Sequence, residues 1–284
     1  MDLFQWERNP WGQEILVRIS WDLLWASIVI GFLFVVAHLL FRRLWMPRIL
    51  AAERAQQRTE SVPDGVPERL SRHSLASRLF HWVMAAAMFV LLITAFVPVI
   101  GLQFPWVTIH WIAGLALIGA VGFHVVHAIV CGDLRAVAVE AADVQDLWQR
   151  FLRAIGRPAA APAKHPKYPI ANKLYHHVIT VVSGVAIATG LLMMVRVRTP
   201  FWTRNPYLLA EQTWGWVYVL HGLSAVALVS LVVAHVYFAI LPEKRWLTRS
   251  MVRGWIHRAE YLEHHDPRRW APRGEPTSGD GHGQ

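Results

Sequence analysis

The chain has 284 residues, of which 55% are hydrophobic and only 17% charged, which is more apolar and less charged than a soluble domain of this length. Its formal net charge of +9 comes from basic residues gathered between apolar blocks, where anionic lipid headgroups lie, so a nucleic-acid-binding reading is excluded. Cys131 is the single cysteine, which excludes an internal disulfide, a cysteine-rich zinc or iron–sulfur site and a Cys-x-x-Cys-His haem attachment.

In chain order, Met1 to Gln13 is polar and carries Asp2 and Glu7 where a signal peptide would have a basic start. The first apolar block is therefore expected to stay as an anchor. Five such blocks follow, Leu23 to Phe41, Leu79 to Leu102, Val107 to Gly132, Leu174 to Val195 and Thr213 to Leu241. Each is close to or beyond the ~20 residues a helix needs to cross a ~30 Å hydrocarbon layer. The predicted fold is all-α integral membrane, with five transmembrane helices.

Little is expected to fold between them. Arg42 to Arg78 is polar and holds Pro63, Gly65 and Pro67, a linker with a short helix around Ala51 to Arg58. Gly132 to Lys173 contains the spacer Pro158 to Ala163, preceded by one amphipathic surface helix over Leu134 to Ile155. The Gly-rich end, Arg273 to Gln284, reads as disordered. Trp21, Trp45, Trp82, Trp106, Trp111, Trp202, Trp214 and Trp246 stand near predicted helix ends, and most are assigned to interfacial aromatic belts.

All but five of the 28 basic residues fall in the first loop, the third loop and the C-terminal tail, which share one side. Only Arg8, Arg18, Arg196, Arg198 and Arg204 lie opposite. The positive-inside rule then puts the N-terminus outside and the C-terminus in the cytoplasm of a bacterial inner membrane.

Ionisable side chains are expensive in hydrocarbon and usually functional there. Apart from Asp22 at the edge of the first block, those within the blocks are histidines: His38, His81, His110, His124, His127, His176, His177, His221 and His235. Imidazole is neutral at membrane depth and ligates haem iron axially. His221 and His235 are 14 residues apart on one helix, hence on nearly the same face and about 21 Å apart along its axis. His81 begins the second block at the depth of His235, and His110 begins the third at the depth of His221. The expectation is two non-covalent b haems, an inner one on His81 and His235 and an outer one on His110 and His221. Gly114, Gly222 and Ala85, beside these histidines, are expected to leave room for the porphyrin faces.

At these residues the chain resembles the cytochrome b (gamma) subunit of membrane-bound formate dehydrogenases and, more broadly, the di-haem b cytochromes of Ni-Fe hydrogenases. Arg78-Leu-Phe-His81-Trp82 and Ile109-His110-Trp-Ile-Ala-Gly114 look like the family's first two ligand helices. Lys167-Tyr168 with Asn172-Lys173-Leu-Tyr-His176 resembles the lead-in to its third, and Leu220-His221 through Ala234-His235 its last. Ser250-Met251-Val-Arg-Gly254 and His264-His265-Asp-Pro267-Arg-Arg-Trp270 resemble its cytoplasmic tail. Ala225 replaces a frequent Gly, and Asp266 is inserted in the His-His-Pro motif.

The resemblance implies the same ligand pairs and a four-helix di-haem bundle, to which the N-terminal helix is an addition. The expected organisation is an N-terminal segment over 1–45, a linker over 46–78, the bundle over 79–245 with its loop 133–173, and a tail over 246–284. An iron–sulfur subunit would dock outside, with a molybdenum or tungsten (or Ni-Fe) catalytic subunit beyond it, and menaquinone or ubiquinone would react near the inner haem. Electrons would pass between that partner and the quinone pool, in a direction the sequence leaves open. The alternatives are a hydrogenase cytochrome b and a stand-alone di-haem quinone oxidoreductase.

His124, His127, His176 and His177 are candidates for lining the inner quinone site or relaying its protons, with Asn172 and Lys173 weaker ones. His124, His127, His176 and His177 also leave a third haem open. Arg196 and Arg198 are candidates for outer-haem propionates or for lipid phosphate. His38 is read as structural, and Met84, Met193 and Met194 as packing residues.

Overall fold

A computed structural model describes residues 3–44, 65–131, 134–158 and 164–271. The expected helix around Ala51 to Arg58 and the Gly-rich end from Arg273 lie outside the described residues. Five helices are long and apolar enough to cross a membrane: α1 (Trp21–Leu44), α2 (Leu75–Phe96), α3 (Trp106–Val130), α6 (Ile170–Met194) and α7 (Glu211–Ile240). Their outward faces carry exposed Ile, Leu, Val and Phe, among them Phe32, Val90, Val126, Val181 and Val233, as suits side chains surrounded by acyl chains. A helix is also the one open-ended structure that satisfies its own backbone there. This is a multi-pass helical membrane protein. The α2 block is expected to reach Leu102 but stops at Phe96, because Pro98 lacks an N–H and disfavours helix before it; a 3-10 turn over Val97–Ile100 follows.

The chain divides into two compact units. The first comprises 1–38, 80–125 and 177–237. Contrary to the expectation of little structure outside the helices, it opens with an antiparallel hairpin, β1 (Phe4–Arg8) and β2 (Glu14–Ile19). The turn is built by Asn9, whose Oδ1 accepts from the backbone N–H of Trp11 and Gln13 (3.1 and 2.9 Å), and by Gly12 at φ +80°. Leu16 and Ile19 of β2 pack with Leu24 of α1 against Val219 and Val226 of α7. Gly215 is what lets the strand approach α7, since a Cβ there would lie 2.3 Å from the Leu16 carbonyl oxygen. Trp214, assigned from sequence to the interfacial belt, is instead fully buried, its indole N–H donating to Pro206 O (3.1 Å).

The second unit comprises 39–79, 126–176 and 238–284. Here β3 (Arg69–Ser71) pairs antiparallel with β4 (Trp255–His257), and Leu70, Ile256 and Tyr261 form a core flanked by Trp246, Leu262 and Trp270. The expected single helix over Leu134 to Ile155 is two, α4 (Leu134–Val137) and α5 (Ala141–Ala154). The break frees the Ala138 carbonyl, which accepts from Lys173 Nζ (2.8 Å), while Asp143 Oδ2 accepts from the Glu140 N–H and pairs with the same ammonium at 2.6 Å. Lys173 and Asp143 are each 2% exposed, so Lys173 is a buried tie and not a free quinone-site group. Arg269 closes the network on Asp143 and Asp146 (2.9 and 3.1 Å).

The tail continues as α8 (Arg245–Arg253), β4 and α9 (Arg258–His264), and its motif residues have a structural role. Buried Arg72 donates to His265 Nε2 (3.0 Å) and to Lys167 O (2.7 Å), beneath the rings of Tyr168, Trp246 and Trp270. Asp266 bridges to His165 O through its N–H and accepts from the Arg268 N–H, so the inserted residue organises a turn. Gly254, at φ +94°, would bring a Cβ to 3.0 Å from His73 O.

Candidate functional site

The four histidines singled out by depth all fall in the first unit and meet in two pairs. His81 on α2 faces His235 on α7 with ring centroids 6.3 Å apart and planes at 55°. His110 on α3 faces His221 on α7, also at 6.3 Å, with planes at 73°. His81, His110 and His221 are half-buried and His235 is exposed. One helix supplies one member of each pair because 14 residues is close to four turns.

The His110–His221 pair is held from behind by two residues that sequence reasoning missed. Thr94, on α2, places its Oγ1 2.8 Å from His110 Nδ1, and Thr189, on α6, places its Oγ1 3.0 Å from His221 Nδ1. Each hydroxyl donates to a carbonyl of its own helix, Val90 O and Val185 O, both at 2.7 Å. A threonine in an apolar helix carries no visible mark of such a task; its spacing from a ligand on another helix is the only signal, and that is tertiary. Gly190, next to Thr189, gives His221 its room, since a Cβ would sit 3.3 Å from His221 Cε1. Gly222, expected to clear a porphyrin face, instead accommodates Ile19 of the hairpin at 3.2 Å.

Arg196 lies over the rings of Trp214 and Tyr218 and donates to the hydroxyl of Tyr218 (2.7 Å), which stands one turn before His221 on α7; Arg198 is exposed. His38 shares a hydrogen bond with the Tyr237 hydroxyl (2.7 Å), tying α1 to α7, as its structural reading expects. Asn172 and His176 lie one turn apart on α6, the first exposed and the second half-buried, both in the second unit. His124 belongs to the first unit, its ring 4.4 Å from that of Phe80. His127 Nε2 lies 3.6 Å from Cys131 Sγ.

A family model described as prokaryotic cytochrome b561 matches residues 72–254, well over half of the chain and all four paired histidines. The chain belongs to the prokaryotic cytochrome b561 family. It is a membrane b-type cytochrome, and cytochromes b561 bind b-type haem, typically two, and work with redox partners and quinones. No curated protein matches the chain. The cytochrome b561 donor set fits such a group: two imidazoles sharing one metal through bonds of about 2.0 Å have ring centroids roughly 6 Å apart. Both pairs have that spacing.

Proposed function

We propose that this cytochrome is the membrane electron-transfer subunit of a respiratory oxidoreductase, with His110 and His221 holding an outer haem and His81 and His235 an inner one. The observation that carries the reading is the repeated imidazole spacing at two levels of one helix. Bound haem supplies a one-electron carrier at each level, about 21 Å apart along α7.

The protein residues hold and orient. The four imidazoles come from three different helices, so each pair fixes the separation of two of them. Arg196, held by Tyr218 beside His221, is assigned to a propionate of the outer group, with Arg198 as its exposed neighbour. Asn172 and His176 are assigned to quinone on α6, where an amide and an imidazole a turn apart can hydrogen-bond a carbonyl oxygen and deliver a proton to it. His124 is assigned to the same reaction on its chemistry alone.

The partner reading is a periplasmic iron–sulfur subunit with a formate dehydrogenase-like molybdenum or tungsten enzyme, in a bacterial inner membrane with the C-terminus cytoplasmic. It is supported by the His264 to Trp270 motif and by the asymmetry of basic residues. A pyridine haemochrome assay on purified protein is expected to give two b haems per chain. None would remove the reading, and three would bring in the remaining histidines. Co-purification with an iron–sulfur subunit tests the partner.

A further inference from the structure

Two unrelated helix segments, Val90-Leu-Leu-Ile-Thr94 and Val185-Ala-Ile-Ala-Thr189, make the same arrangement behind the two outer histidines. In each, the threonine hydroxyl has one proton and two kinds of neighbour. The carbonyls four and three residues earlier lie at 2.7 and 3.0 Å for Thr94, and at 2.7 and 3.1 Å for Thr189. A carbonyl oxygen only accepts, so the hydroxyl proton goes to it. The remaining contact to imidazole Nδ1 then has to be an N–H donating to the hydroxyl oxygen. The opposite arrangement would set the hydroxyl oxygen against two carbonyl lone pairs at hydrogen-bond distance, buried, with no proton between them.

We propose that Thr94 and Thr189 are the positioning residues of the outer haem level, each fixing its histidine as the Nδ1–H tautomer so that the Nε2 lone pair is free for iron. This rests on the haem reading above and adds to it a source of tautomer, ring orientation and ligand strength. Both hydroxyls are shielded from water: Thr94 is 2% exposed and Thr189 6%, so no solvent molecule competes for the Nδ1 proton. Accepting a hydrogen bond from Nδ1–H makes the imidazole a stronger donor to iron, which favours the ferric state and lowers the potential of the outer group.

The experiment is an equilibrium redox titration of the full-length protein in detergent, following the b-haem optical bands, for wild type, Thr94→Val, Thr189→Val and the matching Ser variants. Valine keeps the shape and removes the acceptor. Each Val variant is expected to raise the outer midpoint, so that at fixed potential the oxidised-to-reduced ratio falls about threefold to tenfold, or roughly 30 to 60 mV at 59 mV per decade. The inner midpoint stays in place, and each Ser variant returns to the wild-type value. If a Val variant loses the outer haem altogether, restoration of haem content by Ser supports the proposal in the same way. Unchanged potentials and haem content in both Val variants would overturn it, as would Ser variants that behave like Val, because the methyl group and not the hydroxyl would then matter. A wild-type protein with no haem sinks the functional reading itself, a result distinct from two haems with unmoved potentials.

Discussion

Among single residues, the buried pair Lys173 and Asp143 gives an ordered prediction. Asp143→Leu leaves the Lys173 ammonium with only the Ala138 carbonyl, and stranding a buried charge costs about 3–5 kcal/mol. Lys173→Met is expected to cost less, because Arg269 still neutralises Asp143. Thermal unfolding followed by tryptophan fluorescence checks the order. His265 supplies a pH dependence: burial, then the charge of Arg72, lowers its pKa from 6.5 to about 3. The unfolded chain binds that proton first, so the stability contribution is complete above about pH 6.5 and is lost progressively as pH falls toward 3. Acid titration of wild type against His265→Gln, read by the fluorescence of the adjacent Trp246 and Trp270, should show a weaker acid transition in the variant. The paired histidines were readable from sequence because His221 and His235 stand 14 residues apart on one helix and His110 and His81 open neighbouring blocks at the matching levels. Thr94 and Thr189 were not, because a serine or threonine in a helix can satisfy itself on the preceding turn and looks the same whether or not a second helix uses its oxygen.

At the scale of elements, the five long helices follow from block length, and their ends differ from expectation mainly where Pro98 intervenes. The N-terminal hairpin has a signal in the sequence: Asn9-Pro10-Trp11-Gly12 is turn chemistry between two short runs rich in aromatic and β-branched residues. The division of α4 from α5 had none, since it depends on Lys173 reaching across the sequence. The hairpin's seat can be tested at Gly215, where alanine would press on the Leu16 carbonyl. Gly215→Ala is expected to cost about 1–3 kcal/mol and to speed proteolytic cleavage in residues 3–20, with haem content unchanged.

For the whole molecule, the haem reading predicts selective loss. His221→Ala should remove the outer haem and His235→Ala the inner one, each leaving about one haem per chain by pyridine haemochrome. Paired replacement of His81 and His235 should remove no more than His235→Ala alone. For orientation, a fluorescent protein fused after Gln284 is expected to mature, and alkaline phosphatase fused there to stay inactive, if that end faces the cytoplasm.

A single helix thus sets the distance and the bearing between the imidazoles of His221 and His235. Adding one residue to α7 between Gly222 and Ala234 would turn one imidazole about 100° away from the other and push it along by about 1.5 Å. Such an insertion cannot be absorbed by a loop, because no loop lies between them. That span is therefore closed to length variation.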